Sequence, residues 1–290
     1  MGIVKKALIL GGQVSLTVMD TTDIVQAAID YHKLSPLSAA ALGRTLTACT
    51  FMATGLKNDG DKLSVTVKGD GVGGTIVVCA NSNLDIRGYI DNPRAVLPLK
   101  SNGKLDVAGC VGREGRITVI RDIGLKEPYT GSCRLVSGEL AEDFAAYYTY
   151  SEQQPTAMAL GVKIGTDYNC VGAGGVVIQP LPYCSDSAID EAERIISKFG
   201  AVSTLIQTVG IEGIIDEHFK GVEFVDYHPE YRCICSRKYI EGILLAMGEG
   251  ELRSAIEEQG RIDVECHFCD KKYGFTKDDV ETLLREAGGK

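Results

Sequence analysis

No stretch of this sequence stays apolar for the roughly 20 residues that crossing a bilayer requires, and the longest helix-like run, Ser35 to Lys57, carries Arg44 in its middle. A membrane-spanning role is excluded on that ground, and no membrane partner is expected. No export signal is expected either. Lys5 and Lys6 precede Ala7 to Leu10, but Gly11, Gly12 and Gln13 end that run and no small-residue cleavage site follows, so the segment reads as a first β-strand. There is no basic stripe either. The formal charge is −9, and residues 185 to 230 carry ten acidic and three basic side chains, a net −7. Residues 231 to 290 carry twelve and ten, a net −2, which leaves residues 1 to 184 near zero. A nucleic-acid backbone finds no charged track to follow.

Catalytic machinery is absent in the same way. His32, His218 and His228 stand at no spacing that pairs them with a nucleophile, and no order of Ser, His and Asp suggests a triad, so the chain is not expected to be an enzyme. Gly69-x-Gly71-x-x-Gly74 matches the dinucleotide fingerprint in letters only. That fingerprint needs a helix whose N-terminus faces the pyrophosphate, whereas the β-rich Thr75 to Ala80 follows here, so a glycine-rich hairpin is expected.

What is present begins with an α+β pattern over residues 1 to 184. Ser35 and Pro36 form an N-cap and first-turn pair, and the Ala- and Leu-rich run through Lys57 is apolar on most faces, which predicts a buried helix. Leu63, Val65 and Val67 alternate with polar residues as a half-buried strand does. Thr75 to Ala80, Ile86 to Ile90, Arg116 to Arg121, Thr156 to Ile164 and Val176 to Gln179 read as further strands, and Glu139 to Tyr150 as a second helix. Phe144, Tyr147, Tyr148 and Tyr150 cluster on that helix, either as a core stripe or as a binding surface. The mixture suits one α+β core domain.

Residues 185 to 230 change character. Ile189, Ala192, Ile196 and Phe199 share one helical face, and short helices follow around Thr204 to Val209 and Ile214 to Phe219, punctuated by Gly200, Gly210, Gly213 and Gly221. An acidic helical linker of limited intrinsic stability is expected. Residues 231 to 290 form a last, small unit with few large apolar residues, which should need a staple.

The sequence offers ten cysteines. Without an export signal they imply a reducing, cytoplasmic setting, where clustered thiols are metal ligands or redox centres more often than structural disulfides. Cys233-x-Cys235 and Cys266-x-x-Cys269 are separated by 30 residues, and two such pairs brought together make a four-thiolate site suited to one Zn²⁺. The first pair lies between the strand-like Glu230 to Arg232 and a helix starting near Ser236. The second lies between Ile262 to Glu265 and Tyr273 to Phe275, after which Thr276 and Asp279 open a final helix. His267, inside the second knuckle, is not needed as a ligand beside four thiolates.

Two uses of such a site stay open on spacing alone. One is a purely structural zinc ribbon, a binding module for nucleic acid or a transcription partner, motivated by the basic residues after Tyr231. The other is a redox sensor. Ribbons normally use C-x-x-C on both sides, and an i, i+2 pair in extended chain holds its Cα atoms near or beyond the upper limit of about 6.8 Å for a disulfide, so the segment must bend to pair. Zinc binding is worth roughly 10–16 kcal/mol in small structural domains, more than a unit of this size holds by itself, so losing the metal should unfold it. Zinc also keeps the sulfurs as thiolates, the species that oxidants attack.

The cysteine spacing resembles the redox switch of the heat shock protein 33 family, the bacterial redox-regulated chaperones. The similarity continues through SPLSAAALGRTLTACTFMATGLK, VTVKGDGVGG, IRGYIDNP, GKLDVAGCVG, DIGLKEPYTG, LVSGELAEDFAAYYTYSEQ and AGGVVIQPLP in the core, and CHFCDKKYGFTKDD at the C-terminal knuckle. Together these span about residues 35 to 280. The resemblance implies an ATP-independent, stress-response holdase that is inactive while Cys233, Cys235, Cys266 and Cys269 hold zinc. It further implies that oxidation ejects the metal, pairs Cys233 with Cys235 and Cys266 with Cys269, and unfolds the switch and linker. Apolar surface is then uncovered, and the protein dimerises and holds unfolding clients. The chain departs from the family in its extra thiols, Cys49, Cys79, Cys110, Cys133, Cys170 and Cys184. Cys49 and Cys79 are expected as buried small apolar residues and Cys184 as the most exposed of the six; no role is assigned to any of them.

Overall fold

The computed structural model describes residues 1–288 and divides into two compact units, Met1–Arg232 and the residues from Cys233 onward. The chain opens with β1 (Ile3–Ile9), which turns through Gly11 and Gly12, both at positive φ, into β2 (Val14–Asp20). Two helices follow, α1 (Thr22–His32) and α2 (Pro36–Ala53). Next come β3 (Lys62–Lys68), β4 (Ile76–Asn81), β5 (Asp85–Ile90), the short α3 (Val107–Val111), β6 (Arg116–Asp122), β7 (Tyr129–Arg134) and α4 (Ala141–Tyr150). β8 (Ala157–Ile164), β9 (Cys170–Pro180), α5 (Asp186–Ile196), α6 (Val202–His218), β10 (Val225–Tyr227) and β11 (Glu230–Tyr231) complete the first unit.

The strands form two sheets, ordered β10-β1-β2-β9-β8 and β11-β5-β4-β3-β6-β7. Every neighbouring pair is antiparallel except β11 with β5. Helix α2 packs against strands of both sheets, which is why it is apolar nearly all round: Leu42, Leu46, Ala48 and Cys49 have no exposed surface. Its start is the one that Ser35 and Pro36 signal, with Ser35 Oγ accepting from the Ser38 N–H at 3.2 Å. A Cβ on Gly43 would lie 2.9 Å from Val162 Cγ2 and 3.0 Å from Val25 Cγ1, so glycine lets α2 lie close to β8 and α1. Arg44, the polar interruption of this helix, bonds Glu139 Oε2 at 2.9 Å, and Glu139 also takes the Lys100 ammonium.

The glycine-rich Gly69 to Gly74 segment is the hairpin connection between β3 and β4, as its β-rich flank implies. Phe144, Tyr147 and Tyr148 of α4 are buried core residues; Tyr150 differs, being 75% exposed. In the first unit α1, α3, β2, β7 and β10 are elements beyond the sequence reading.

Residues 185–230 are more than a linker. Alternation in β2 sends Val14, Leu16 and Val18 to one face of the first sheet, where Val176 and Ile178 of β9 join them. Ala188 and Ala192 of α5, Phe199, and Val202, Ile206, Ile211 and Ile214 of α6 cover that face and bury it. The two short helices expected around 204–209 and 214–219 are the two halves of α6, separated at Gly210 (φ 68°, ψ 178°), a non-helical conformation that glycine adopts readily. Among the described residues no helix is long and apolar enough to cross a membrane.

The second unit holds α7 (Arg237–Ala246), α8 (Glu249–Gln259), the hairpin β12 (Arg261–Glu265) with β13 (Lys272–Thr276), and α9 (Lys277–Gly288). Its buried apolar cluster is Ile240, Leu244, Leu252, Ile256, Phe275 and Val280, a small core for a unit of this length.

Candidate metal centre

Each cysteine pair sits beside elements that fix its place, and the second also sits in a turn. Cys233 and Cys235 precede α7, whose N-cap Ser236 accepts the Tyr239 N–H at 3.1 Å. Cys266 and Cys269 occupy the loop between β12 and β13. There the Cys266 N–H donates to the Lys271 carbonyl at 2.9 Å, and the Cys266 carbonyl accepts from the Cys269 and Asp270 N–H groups at 3.2 and 2.8 Å. Asp270 takes a positive φ of 55°, which closes the knuckle and sends the chain into β13.

The structure brings all four cysteines together. Their Sγ atoms lie within 4.8 Å of one another, with Cys233 to Cys266 at 3.6 Å and Cys235 to Cys269 at 3.4 Å. These two contacts are far longer than a disulfide of about 2.05 Å. They approach the edge of a sulfur tetrahedron around zinc, which a Zn–S bond of about 2.3 Å sets near 3.8 Å. Cys266 is buried and the other three are half-buried, so the cluster is sheltered yet reachable. His267 is not among the clustered groups.

The electrostatics favour a cation. Burial pushes the Cys233 thiol well up and the Cys269 thiol up to about 11. Burial opposes ionisation of Cys235 as well, but the Tyr273 hydroxyl, donating to its Sγ at 3.2 Å, and the neighbouring thiols bring it down to about 7. Four sulfurs this close resist ionising together through mutual repulsion, and a thiophilic dication among them removes that penalty. The donor set, its spacing and its shelter therefore fit a tetrahedral zinc centre.

Tyr273 is a contact that the motif alone does not reveal. Cys235 and Tyr273 lie 38 residues apart, and the only signal was an aromatic residue shortly after the second knuckle. Arg237 likewise ties the unit together: it bonds the Gly274 carbonyl at 3.0 Å and Asp279 at 2.9 Å, and its guanidinium lies 4.4 Å from the centroid of the Phe275 ring.

The remaining cysteines are scattered. Cys49 and Cys110 are buried in the first core, and burial pushes Cys110 up to about 11 and Cys49 well up. Cys170 is buried and pushed up to about 12, again by burial first. Cys79 departs from expectation: it is half-buried, because β4 alternation turns it to the face opposite Val78 and Ala80. Cys184 is half-buried too, packed against the cluster under α5 and α6.

The family model described as Hsp33 protein matches residues 3–276. The 33 kDa chaperonin of Acetivibrio thermocellus is 43% identical over 269 residues, covering 91% of this chain and 90% of its own. That of Clostridium acetobutylicum is 38% identical over 285 residues, with 97% and 96% covered. The crystal structure of the 33 kDa chaperonin (heat shock protein 33 homolog) from Thermotoga maritima superposes with a TM-score of 0.88 at 29% identity, covering 99% of both chains. Matched in sequence and in fold along nearly its whole length, the chain belongs to the Hsp33 family of chaperones.

Proposed function

We propose that this chain is a redox-regulated, ATP-independent holdase whose inactive state is the reduced one, with one Zn²⁺ held by Cys233, Cys235, Cys266 and Cys269. The observation that carries the proposal is the meeting of four sulfurs within 4.8 Å at two knuckles of a unit whose own core is small. Bound zinc would supply charge compensation and a cross-link between the knuckles. The residues do the rest. Tyr273 donates to Cys235, α7 and the β12–β13 hairpin hold the two pairs facing each other, and shelter from water favours ligation over exchange.

Oxidation acts on the sulfurs. In each knuckle two thiolates give up two electrons to a peroxide, which with two protons leaves as two water molecules, and one S–S bond forms, Cys233 to Cys235 and Cys266 to Cys269. No thiolates then remain to hold the cross-link, and the small core of the last unit falls below what folding requires. Residues 185–230 follow, exposing Val14, Leu16, Val18, Val176 and Ile178 on the first sheet. This surface suits unfolding client proteins and a second oxidised copy. The setting is the reducing cytoplasm, where oxidation is an event.

The experiment compares zinc-loaded reduced protein with a peroxide-treated sample, each added under mild heat to an aggregating client while light scattering is followed. Only the oxidised sample should suppress scattering. Equal behaviour of the two would defeat the redox proposal.

A further inference from the structure

Between α6 and the first cysteine pair the chain forms a strap that closes one edge of each large sheet. β10 lies antiparallel on β1, with Tyr227 opposite Val4 and Val225 opposite Lys6, and the Pro229 carbonyl then accepts the Gly2 N–H at 2.8 Å. Immediately afterwards β11 runs parallel to β5, the Glu230 and Arg232 N–H groups donating to the Leu84 and Ile86 carbonyls at 3.1 and 2.9 Å. Both positions are terminal in their sheets, so without the strap β1 and β5 become bare edges. Two tyrosines four residues apart anchor it. Tyr227 packs on the core with the Lys6 ammonium 6.0 Å from its ring centre, while the Tyr231 ring lies 5.4 Å from that of Tyr31, tilted by 31°, and its hydroxyl donates to the Gly88 carbonyl at 2.9 Å. Cys233 is the residue after Arg232.

We propose that the strap occupies the client site: once it leaves, β1 and β5 hold an extended segment of an unfolding polypeptide by main-chain strand addition. The inference rests on the redox-holdase proposal above and adds where and how a client is gripped. Three observations select this occupant. Both edges already accept an extended backbone at these atoms. Their donors and acceptors belong to the main chain, so they accept any sequence, as a holdase requires. The sockets vacated by Tyr227 and Tyr231 favour segments bearing aromatic side chains. Release is linked to the cysteines through one peptide unit, because a Cys233–Cys235 disulfide constrains the backbone directly next to the Arg232–Ile86 hydrogen bond.

Alternate residues of a strand direct their N–H groups to the same side, so the Gly2 bond marks the Val4 and Lys6 amides as facing the strap, and the Leu84 and Ile86 carbonyls mark the Ile86 amide likewise. The test is residue-resolved amide exchange on the full chain in three states: reduced with zinc, peroxide-oxidised, and oxidised with reduced, carboxymethylated α-lactalbumin as a permanently unfolded client. Protection at Val4, Lys6 and Ile86 should fall about tenfold or more on oxidation and return with the client. Undiminished protection on oxidation means that the strap stays shut, and overturns the inference. So does protection that returns without client as protein concentration rises, which places a second copy on the edges. If the oxidised protein suppresses aggregation while these amides stay unprotected, clients are held elsewhere: the edge site is wrong and the holdase stands. If it suppresses none, the holdase proposal fails first and takes the edge site with it.

Discussion

Tyr273 acts on the sulfur cluster from outside the cysteines, through its 3.2 Å hydrogen bond to Cys235 Sγ. A hydroxyl donating to a thiolate orients and stabilises it, and loss of such an outer partner typically costs about 10–100-fold in metal affinity. Tyr273→Phe should therefore weaken zinc binding by about tenfold in competition with a chromophoric chelator while leaving the reduced fold intact. Five of the other six cysteines should sort by burial. In the reduced, zinc-loaded protein, iodoacetamide should label Cys79 and Cys184 well before Cys49, Cys110 and Cys170, as peptide mass mapping can follow, because the last three are buried and burial holds their thiols protonated. The four clustered cysteines were legible in the sequence because two short spacings announce two pairs of ligands. The role of Tyr273 was not, since it depends on the register of β12 against β13, which pairs Tyr273 with Val264.

At the scale of elements, Glu139 locks α2 to the segment before α4 by bonding both Arg44 and Lys100. Burial works against its ionisation, but Lys100 and Arg44 outweigh it and hold the carboxyl below its ordinary range. A carboxyl depressed on folding stabilises the native state above its unfolded pKa, and that contribution is lost as pH falls through the folded value. Glu139→Gln should thus cost about 1–3 kcal/mol near neutral pH in denaturant titrations, and the two proteins should converge on acidification below the ordinary carboxyl range. Helix α2 could be read from sequence because a helix buried on nearly all sides is apolar on nearly all sides. β9 could be read only from Val176 on, although it begins at Cys170. Its first half is rich in glycine, which carries no strand signal, and the glycines are there because neighbours press close: a Cβ on Gly172 would meet the Ser203 carbonyl oxygen at 2.3 Å, and one on Gly174 the Met19 carbonyl oxygen at 2.0 Å. The apolar spacing of α5 was visible too, but that it covers one face of the first sheet is a long-range fact that no local pattern contains.

For the whole molecule, the contrast lies between a first unit with extensive buried clusters and a last one whose buried apolar set is Ile240, Leu244, Leu252, Ile256, Phe275 and Val280. Zinc worth roughly 10–16 kcal/mol would dominate the stability of the second and matter little to the core of the first. A strong chelator under reducing conditions should abolish amide protection beyond Cys233, where Phe275 and Val280 sit, while α2 stays protected. Retained protection in both units would mean that the last unit folds without metal. The most direct measurement is zinc per chain before and after peroxide, with the resulting disulfides mapped by mass spectrometry. One zinc per reduced chain, none after oxidation, and links Cys233–Cys235 and Cys266–Cys269 are expected. Zinc retained by an oxidised chain, or sulfurs joined across the two knuckles, would contradict a switch that works by cutting the knuckles apart.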